Sequence, residues 1–431
     1  MSEAFDVVVV GFGLAGAVAA LEAARAGART LVLDAAPADQ VGGNSLVAGQ
    51  GVFGSTDHNG LARYLAALRI RVADRYSWAG HAMAVVPYLT SLGIPMAPGK
   101  AGGDFVEAPG SEALRRWRLA DVREGPIVRR VQKLAVASGV RVRCDARAIG
   151  LGHTDRSRFC VAYAQRGRRV TVDARHAVVL ATGGQAARRR RASSGTPFAL
   201  GDALKLARQV GARTFPAGCA GPFYGFRVPG TRSALTPRHL YGLSTPEPRS
   251  GVLVSRTDAR RLRIPPPHLH GLTKGRSARY VTAQLPPALL VVDDEALGGG
   301  PLVEPWPDGH AEGWARRYGE AWSHTNDVEI GRGWVRGLGR ESRRRLNLSA
   351  RGELFALPLE PVVLNTLGGL RCDAAYRVLS GTGAIEGLYA VGEVSSVFGR
   401  LYQGSGNLTE CVLAGRIAVD SALHGKDPRR S

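Results

Sequence analysis

Three glycines near the start of the chain have the spacing that lets a backbone bind a diphosphate. They stand in the run Gly11-Phe12-Gly13-Leu14-Ala15-Gly16. In a GxGxxG turn the first glycine permits the tight turn, the second lets the backbone meet a pyrophosphate, and the third allows a helix to pack closely on a strand. The helix that follows offers unpaired N–H groups and a positive dipole end to the phosphates. Asp34 ends the next strand, where a carboxylate can accept hydrogen bonds from a ribose.

Three more glycine-rich motifs favour a bound dinucleotide. The first is Gly42-Gly43-Asn44-Ser45 with Ala48-Gly49-Gln50-Gly51, which has little side-chain bulk and many N–H groups, although a flexible loop has the same composition. The other two are Ala181-Thr182-Gly183-Gly184 and Gly387-Leu388-Tyr389-Ala390-Val391-Gly392-Glu393. Both place glycines directly after an apolar run, which is where ligands bind in open α/β sheets. Glu393 is an acid at a strand end, able to bind a ribityl or ribose hydroxyl.

The elements that must position these motifs alternate between strand and helix. Residues 7–10 and 30–33 read as buried parallel strands around an alanine-rich helix over 15–26, which is a βαβ unit. Further strands are predicted at 140–143, 176–182 and 387–391, a hairpin at 159–171 turning at Arg166-Gly167, and a helix at 408–422. Residues 111–138 read as mostly helical, interrupted at Gly125-Pro126.

This order predicts an α/β fold with a discontinuous nucleotide-binding domain. We assign residues 1–215 and 352–431 to a Rossmann-like domain, and residues 216–351 to an inserted α+β cap that would contact the substrate. Proline-rich loops and scattered tryptophans and histidines set the cap apart, since they interrupt the regular alternation of strands and helices.

Composition excludes several other classes of protein. The net charge is +21, yet the arginines are scattered, and the run Arg188-Arg189-Arg190-Arg191 is typical of a solvated basic loop rather than of a nucleic-acid site. Five widely spaced cysteines without a CxxC indicate reduced thiols and a cytoplasmic protein. The longest apolar run, residues 7–21, contains three glycines and is shorter than the ~20 residues of a membrane helix. His268-Leu269-His270 has too few neighbouring ligands for a metal site.

Together and in this order, the four glycine motifs resemble the flavoprotein superfamily of fumarate reductase and succinate dehydrogenase, and most closely its tricarballylate dehydrogenase and 3-ketosteroid Δ1-dehydrogenase branch. The resemblance implies FAD in an FAD-binding domain with a three-layer, ββα-type insertion. The ADP half would lie at residues 11–16 and Asp34, the isoalloxazine against residues 42–51, and Glu393 on the hydroxyls. Gly201-Asp202 matches part of a TGDG segment near the cofactor. The helix beginning near Gly406-Asn407-Leu408 would point its N-terminus at the flavin pyrimidine edge, where it would stabilise negative charge.

Departures from the superfamily narrow the expected chemistry. Succinate dehydrogenases attach FAD through a histidine in the flavin loop. Ser45 stands in that place here, so we expect non-covalent FAD. Fumarate reductases carry a histidine before a TMGG-like turn, whereas this chain has Asn365 before Thr366-Leu367-Gly368-Gly369. Their HxxxR run before the final glycines is also missing from residues 398–402. Fumarate reduction is therefore disfavoured.

The run Tyr402-Gln403-Gly404-Ser405-Gly406 resembles the Tyr-x-Gly-x-Gly of the ketosteroid and tricarballylate branch. In the steroid enzymes this tyrosine hydroxyl and the last glycine N–H polarise a carbonyl, which acidifies the adjacent C–H. The resemblance thus implies roles for Tyr402 and Gly406 in α,β-dehydrogenation beside a carbonyl or carboxylate, or in its reverse, although Tyr402 could instead pack against the flavin. The candidates for the base are Tyr224, Tyr241, His239 and Arg400, by their chemistry alone.

Two other interpretations remain open at this stage. An NAD(P)-linked enzyme would use the same βαβ unit but would leave the motif that ends at Glu393 without a role. A flavoprotein that has lost its chemistry and keeps a biosynthetic or structural role would keep all four motifs. For an active enzyme we expect a small-molecule substrate, and oxygen, a quinone or a redox protein as electron acceptor.

Overall fold

The computed structural model describes residues 3–72, 74–121, 123–154, 158–188, 193, 195–216, 218–220, 223–227, 234–237, 252–257, 260–262, 272–274, 280–282, 285–293, 303–304, 354–363, 365–395, 397–399 and 401–425. Its α-helices are α1 Leu14–Arg25, α2 His58–Ala67, α3 Arg75–Met83, α4 Val85–Ser91, α5 Ile127–Ala137, α6 Asp202–Arg208 and α7 Gly406–His424. Its strands are β1 Glu3–Val10, β2 Thr30–Leu33, β3 Gly51–Gly54, β4 Met96–Ala101, β5 Arg115–Leu119, β6 Arg141–Arg143, β7 Arg147–Gly152, β8 Phe159–Gln165, β9 Arg168–Leu180, β10 Gly218–Ala220, β11 Phe223–Arg227, β12 Ala234–Pro237, β13 Val252–Ser255, β14 Leu272–Lys274, β15 Tyr280–Thr282, β16 Ala288–Asp293, β17 Val303–Glu304, β18 Leu354–Val362, β19 Asn365–Leu367, β20 Arg377–Leu379 and β21 Ala384–Ala390.

The N-terminal βαβ unit forms as its sequence predicts. Four consecutive valines end β1, and all four are buried because the strand is covered on both faces. β1 pairs in parallel with β2, from Val7 opposite Thr30 to Val10 opposite Leu33. α1 is rich in alanine, which loses no side-chain entropy in a helix, and the chain leaves it through Gly27 at φ +83°.

The main sheet brings the glycine motifs to one edge. Its strand order is β20-β21-β9-β1-β2-β6, in which β21, β9, β1, β2 and β6 run parallel to one another and β20 pairs antiparallel with β21. Since the carboxyl ends of parallel strands meet at the same edge, the segments that follow these strands lie side by side there. α7 packs on α1 at this sheet, where a Cβ at Gly415 would lie 2.9 Å from the Ala15 carbonyl oxygen.

The hairpin predicted at residues 159–171 is confirmed. β8 and β9 pair antiparallel, and Gln165 lies opposite Arg168. The two turn residues, Arg166 and Gly167, have φ of +49° and +74°, as a two-residue hairpin turn with the twist of its strands requires.

The helical prediction for residues 111–138 is wrong in its first half. The second half forms α5, Ile127–Ala137, but in the first half a single 3-10 turn, Ser111–Ala113, is followed by β5, Arg115–Leu119, the central strand of an antiparallel sheet β3-β5-β4. Pairing with β3 decides this, since Val52 lies opposite Trp117 and Phe53 opposite Arg116. Tertiary pairing of this kind routinely overrides weak local propensity.

The chain divides into two compact units. One comprises Met1–Arg188, Phe198–Gly218 and Thr366–Ser431, and the other Arg189–Pro197 and Cys219–Asn365. Most described residues of the second unit belong to strands, six of which form a sheet in the order β13-β16-β18-β11-β12-β17. In the centre of that sheet β16 pairs antiparallel with β18, from Ala288 opposite Leu359 to Asp293 opposite Leu354.

Candidate cofactor and active site

The first glycine turn is closely packed at two positions and less closely at the third. A Cβ at Gly11, where φ is +103°, would lie 2.4 Å from the Ala181 carbonyl oxygen, and a Cβ at Gly16 would lie 2.0 Å from the Gly11 carbonyl oxygen. At Gly13 the nearest atom to such a Cβ is the Gly42 carbonyl oxygen, 3.5 Å away, which is ordinary van der Waals contact. The fold therefore requires glycine at the outer positions, whereas a Cβ at the middle position would clash with no protein atom.

The start of α1 is tied to the second glycine motif through Ser45. The Leu14 N–H donates to Ser45 Oγ at 3.1 Å, and the Ser45 side chain is buried. Gly13 is the N-cap of α1 and supplies no side-chain cap. The remaining N–H groups of the first turn, beginning with Ala15 and Gly16, have no acceptor within the helix, as in any α-helix. This arrangement places the 42–51 loop beside a helix N-terminus suited to a diphosphate.

Asp34 is held in place by backbone groups of the first turn. Its Oδ2 accepts from the Phe12 N–H at 2.7 Å, and its Oδ1 accepts from the Ala36 N–H at 2.8 Å. Burial raises the pKa of Asp34, and these two bonds offset part of that rise. An ionised carboxylate has about four acceptor sites, so two bonds leave capacity for ribose hydroxyls.

Glu393 joins three of the glycine motifs. Its Oε1 accepts from the Thr366 N–H at 2.6 Å and from Thr366 Oγ1 at 2.9 Å, and its Oε2 accepts from Asn44 Nδ2 at 3.1 Å. A Cβ at Gly184 would lie 2.0 Å from Oε1, so only glycine permits this approach. Burial raises the pKa of Glu393, and bonds from Thr366, Asn44 and the Gly184 backbone offset part of the rise. Thr366 is a site residue whose role the sequence did not reveal.

Several backbone surfaces near these residues are open. A Cβ at Gly43, Gly49 or Gly183 would meet no atom within 4 Å. Space of this kind beside glycine backbone is what a flat ring system needs in order to approach the chain. Gly392 differs, because a Cβ there would lie 2.9 Å from the Ala15 Cβ, and this glycine therefore serves the packing of α1.

Gln50 fixes the shape of the 42–51 loop, a role that sequence reasoning did not assign to it. Its side chain is buried, and it has φ of +47°, unusual for a residue other than glycine. Its Nε2 donates to the carbonyls of Ala48 at 2.7 Å and Ser45 at 3.0 Å, and its Oε1 accepts from the Ile127 N–H at 2.9 Å. The loop is therefore ordered by a side chain of its own, and composition alone could not separate this from a flexible loop.

Thr182 and Asp202 both serve the start of α6. Thr182 Oγ1 accepts from the Ala203 N–H at 3.3 Å. The Asp202 carboxylate pairs with Arg147, and the Lys205 ammonium lies 3.6 Å from its Oδ1. These contacts hold the 181–184 turn against α6. A direct contact of Asp202 with a cofactor stays a prediction.

Tyr402 lies at the N-terminus of α7. Its hydroxyl accepts from the Asn407 N–H at 3.3 Å, and its ring meets Phe398 edge-on at 5.4 Å between centroids. Burial raises the pKa of Tyr402, so the phenol is neutral across the physiological range. The Gly406 N–H donates to the Gln403 carbonyl at 3.0 Å, and a Cβ at Gly406 would lie 2.6 Å from the Phe398 ring. Gly406 thus closes a turn on which Phe398 packs, and donation of its N–H to a substrate would be shared with that turn.

The segment from Tyr402 to Gly406 adjoins the flavin loop predicted from the sequence. A Cβ at Gly51 would lie 2.9 Å from Ser405 Oγ, so the Ser405 side chain lies against the Gly51 backbone. Ser405 is the N-cap of α7 and has φ of +69°. Asn407 Oδ1 is buried without a hydrogen-bond partner, and Leu408 is buried one residue further on.

A buried network, here called the Gln403 clamp, anchors this segment to the connection between β4 and β5. Gln403 Oε1 accepts from the Tyr64 hydroxyl at 2.5 Å and from the Asp104 N–H at 2.9 Å. Asp104 Oδ2 accepts from the Gly404 N–H at 2.8 Å and from Gln403 Nε2 at 3.2 Å, and its Oδ1 pairs with Arg116 at 2.5 Å. Sequence analysis assigned no role to these side chains, because their partners are about 300 residues away along the chain.

Of the four candidate bases, Tyr224 is the one that lies within the described residues. Arg400, Tyr241 and His239 lie outside the described residues. Tyr224 belongs to the second unit, where its hydroxyl donates to the Pro286 carbonyl at 2.8 Å and burial raises its pKa. Asn365 is buried at the start of β19. The identity of a base stays a prediction.

The family follows from a match over most of the chain. A family model described as "FAD binding domain" matches residues 6–223 and 329–408. The chain belongs to this family. The open glycine backbones at Gly43, Gly49 and Gly183, the N-terminus of α1 and the carboxylates of Asp34 and Glu393 fit FAD, since they offer space for its ring, N–H groups for its diphosphate and acceptors for its hydroxyls. The prediction of FAD as the cofactor is confirmed at this level.

Solved structures with the same fold include a fumarate reductase and two ketosteroid dehydrogenases. A flavocytochrome c3 fumarate reductase in an open conformation is 21% identical, with a TM-score of 0.67, over 99% of this FAD-binding chain and 79% of its own. A 3-ketosteroid Δ1-dehydrogenase from Sterolibacterium denitrificans is 19% identical, with a TM-score of 0.68, over 99% and 100%. A 3-ketosteroid Δ4-(5α)-dehydrogenase from Rhodococcus jostii is 21% identical, with a TM-score of 0.60, over 97% of both chains. These likenesses show the fold.

Among curated proteins, none matches the chain significantly. Within the described ranges no helix has both the length and the apolar character to cross a membrane. The same ranges hold no group of three or more histidine, cysteine or acidic side chains that could bind a metal ion.

Proposed function

We propose that the protein is an FAD-dependent oxidoreductase that acts on a CH–CH bond beside a carbonyl or carboxylate. The observation that supports it is the position of Tyr402 at the N-terminus of α7, on a segment that meets the flavin loop where Gly51 approaches Ser405. The solved structures of the same fold include a fumarate reductase and two ketosteroid dehydrogenases. FAD is held without a covalent bond, since residues 42–51 contain no histidine.

In this proposal the protein polarises one carbonyl oxygen of the substrate. The neutral Tyr402 hydroxyl donates to that oxygen, and it is a stronger donor because it accepts from the Asn407 N–H. The positive end of the α7 dipole stabilises the developing negative charge. The adjacent carbon loses its proton to a base, the next carbon loses a hydride, and a C=C bond forms. FAD, when bound, supplies the hydride acceptor.

The electrons leave to oxygen, a quinone or a redox protein, since the chain carries a single dinucleotide-binding fingerprint. A reducing, cytoplasmic setting is part of the same proposal, because Cys144, Cys160, Cys372 and Cys411 are all free thiols.

The proposal is tested with purified, FAD-loaded protein under anaerobic conditions. 4-Androstene-3,17-dione and succinate are mixed with the oxidised form, and fumarate with the dithionite-reduced form, while the visible flavin band is followed. We expect at least one of these compounds, or a close analogue, to change the redox state of the flavin. A colourless protein that binds NAD tightly, or flavin reduced by NAD(P)H alone, would contradict the proposal.

The turnover rate of Tyr402→Phe distinguishes an active enzyme from a flavoprotein that binds FAD but catalyses no reaction. Removing one donor to a developing oxyanion costs about 10²–10³ in kcat, and FAD content should not change. Tyr389→Phe is the matched control, because it removes a hydroxyl that contacts Ser421 near the other end of α7. Equal rates in the wild type and Tyr402→Phe would show that Tyr402 is not the carbonyl donor.

A further inference from the structure

Arg71 contacts the segment that leads to Tyr402, through both its backbone and its side chain. Its backbone N–H donates to the Val397 carbonyl at 2.6 Å. Its guanidinium lies over the Phe215 ring, with Cζ 4.9 Å from the centroid. A Cβ at Gly368 would lie 2.8 Å from Arg71 Nη1, and a Cβ at Gly399 would lie 3.6 Å from Nε. The guanidinium therefore rests against two glycine turns, and a side chain at Gly368 would clash with it, whereas a Cβ at Gly399 would be in ordinary contact.

The charge of Arg71 is not balanced by any acid in the described part of the chain. Its Nη1 is enclosed and has no hydrogen-bond partner. Burial lowers the pKa of Arg71, and no neighbouring carboxylate offsets that change. Three other arginines have an enclosed nitrogen without a hydrogen-bond partner: Arg116 and Arg130 form ion pairs with Asp104 and Glu124, and Arg416 lies over the Tyr88 ring.

A second cation lies on the same aromatic ring. Arg371 Cζ is 4.7 Å from the Phe215 centroid, and Arg371 also has no acidic partner among the described residues. Two guanidinium groups around one ring repel each other, and a partly desolvated charge without a counter-charge is unfavourable. A bound anion would offset both costs. Arginine suits a carboxylate, since its planar fork can donate two parallel hydrogen bonds.

The position of Arg71 relates it to the proposed reaction. Gly399 precedes Tyr402 by three residues, and Gly368 follows Thr366, whose N–H binds Glu393. We propose that Arg71 binds a carboxylate group of the substrate, so that the substrate is a carboxylic acid and not a neutral polycyclic ketone. This inference rests on the proposed function and names the substrate class for the same site.

Binding is measured on the oxidised, FAD-loaded protein, through the change that a ligand causes in the visible flavin spectrum. The probes are succinate and tricarballylate, with dimethyl succinate as the uncharged control and 4-androstene-3,17-dione as the neutral ketone. The variants are Arg71→Gln, Arg71→Lys and, as the control for a change of net charge, Arg63→Gln on the exposed face of α2. FAD content and the circular dichroism of each variant are recorded alongside.

We expect a carboxylate probe to bind the wild type and dimethyl succinate not to bind. Charge-assisted hydrogen bonds contribute about 1.5–3 kcal/mol, so Arg71→Gln should weaken binding about 10- to 100-fold. Arg71→Lys should recover part of that loss, and Arg63→Gln should bind like the wild type. FAD content should be equal in all variants.

The inference is overturned if no carboxylate binds the wild type, if dimethyl succinate binds equally well, or if Arg71→Gln leaves the Kd unchanged. Loss of FAD or of native circular dichroism in both Arg71 variants would also overturn it, since Arg71 would then serve the cofactor or the fold. These results are separate from a failure of the proposed function. If carboxylate binding depends on Arg71 but no compound with a CH–CH bond reduces or oxidises the flavin, the proposed reaction is contradicted and the carboxylate site at Arg71 stands.

Discussion

Replacing Gln403 by methionine should destabilise the protein and displace the segment that carries Tyr402. The Gln403 and Tyr64 side chains are both fully buried. The replacement has nearly the same volume but leaves the Tyr64 hydroxyl proton and the Asp104 N–H without their acceptor. Each buried group that loses its partner costs about 1–3 kcal/mol, which gives a total of about 2–6 kcal/mol.

A double-mutant cycle with Tyr64→Phe isolates the hydrogen bond within the Gln403 clamp. Tyr64→Phe alone removes the hydroxyl and should cost about 1 kcal/mol. In the double variant there is no hydroxyl to leave unsatisfied, so the loss should be smaller than the sum of the single losses by about 1–2 kcal/mol. Urea unfolding of the FAD-loaded protein, followed by far-UV circular dichroism and flavin fluorescence, measures each free energy.

Gln40→Met is the control, because Gln40 lies outside the network and the same change of side chain should alter the free energy of unfolding little. Single variants that add within about 0.5 kcal/mol would refute the reasoning, since independent sites add in this way. The turnover rate of Gln403→Met is a second test, of whether the clamp positions Tyr402. If the clamp positions Tyr402, kcat falls in Gln403→Met under conditions where FAD remains bound.

Three further predictions concern FAD binding at Gly13 and Glu393 and the protonation of the buried Glu410. Gly13→Val should lose FAD during gel filtration while keeping its fold, because the side chain would occupy the place beside the α1 N-terminus where we expect the diphosphate. Gly152→Val, which adds the same side chain in open space on β7, should keep its flavin. Glu393→Gln should raise the Kd for FAD about tenfold or more in a flavin titration, since an amide cannot accept from Thr366 and Asn44 at once, and an unchanged Kd would contradict this. Burial raises the pKa of Glu410 from 4.5 to about 8, so the folded state holds a proton that the unfolded chain has released, and stability should fall as pH rises between these values. The stability of Glu410→Gln should not fall with pH in this way. Parallel curves of stability against pH for the wild type and Glu410→Gln would show that Glu410 is not the group that titrates.

The sequence predicted the parts of the fold in which local signals agree with tertiary structure. The valine run of β1, the alanine-rich α1 and the turn at Arg166-Gly167 each have one favourable structure, and the chain adopts it. The strand β5 was misread because its residues, Arg115–Leu119, carry no strong preference of their own. Its structure depends on pairing with β3 and β4. No window of sequence contains those partners.

In the candidate site, too, the sequence predicted some features and not others. The glycine motifs were visible because each depends on a backbone conformation or a close approach that glycine alone allows. The side chains that hold the motifs together were not. Thr366, Gln50 and Gln403 each bind a partner whose sequence position gives no hint of the contact, and an amide or hydroxyl in isolation resembles any polar residue of a loop.

The bonds of Glu393 have a consequence for the synthesis of the protein. Its partners Asn44 and Thr366 and its neighbour Gly184 are spread over almost the whole chain, and β21 completes the parallel sheet from the C-terminal end. Contacts so distant in sequence form late, since their loops must close first. A ribosome-bound chain can build the N-terminal βαβ unit early, but until α7 has emerged it lacks the edge of the sheet at which we place FAD. Chains truncated before Glu393 should therefore be made without flavin, and FAD should enter after translation ends.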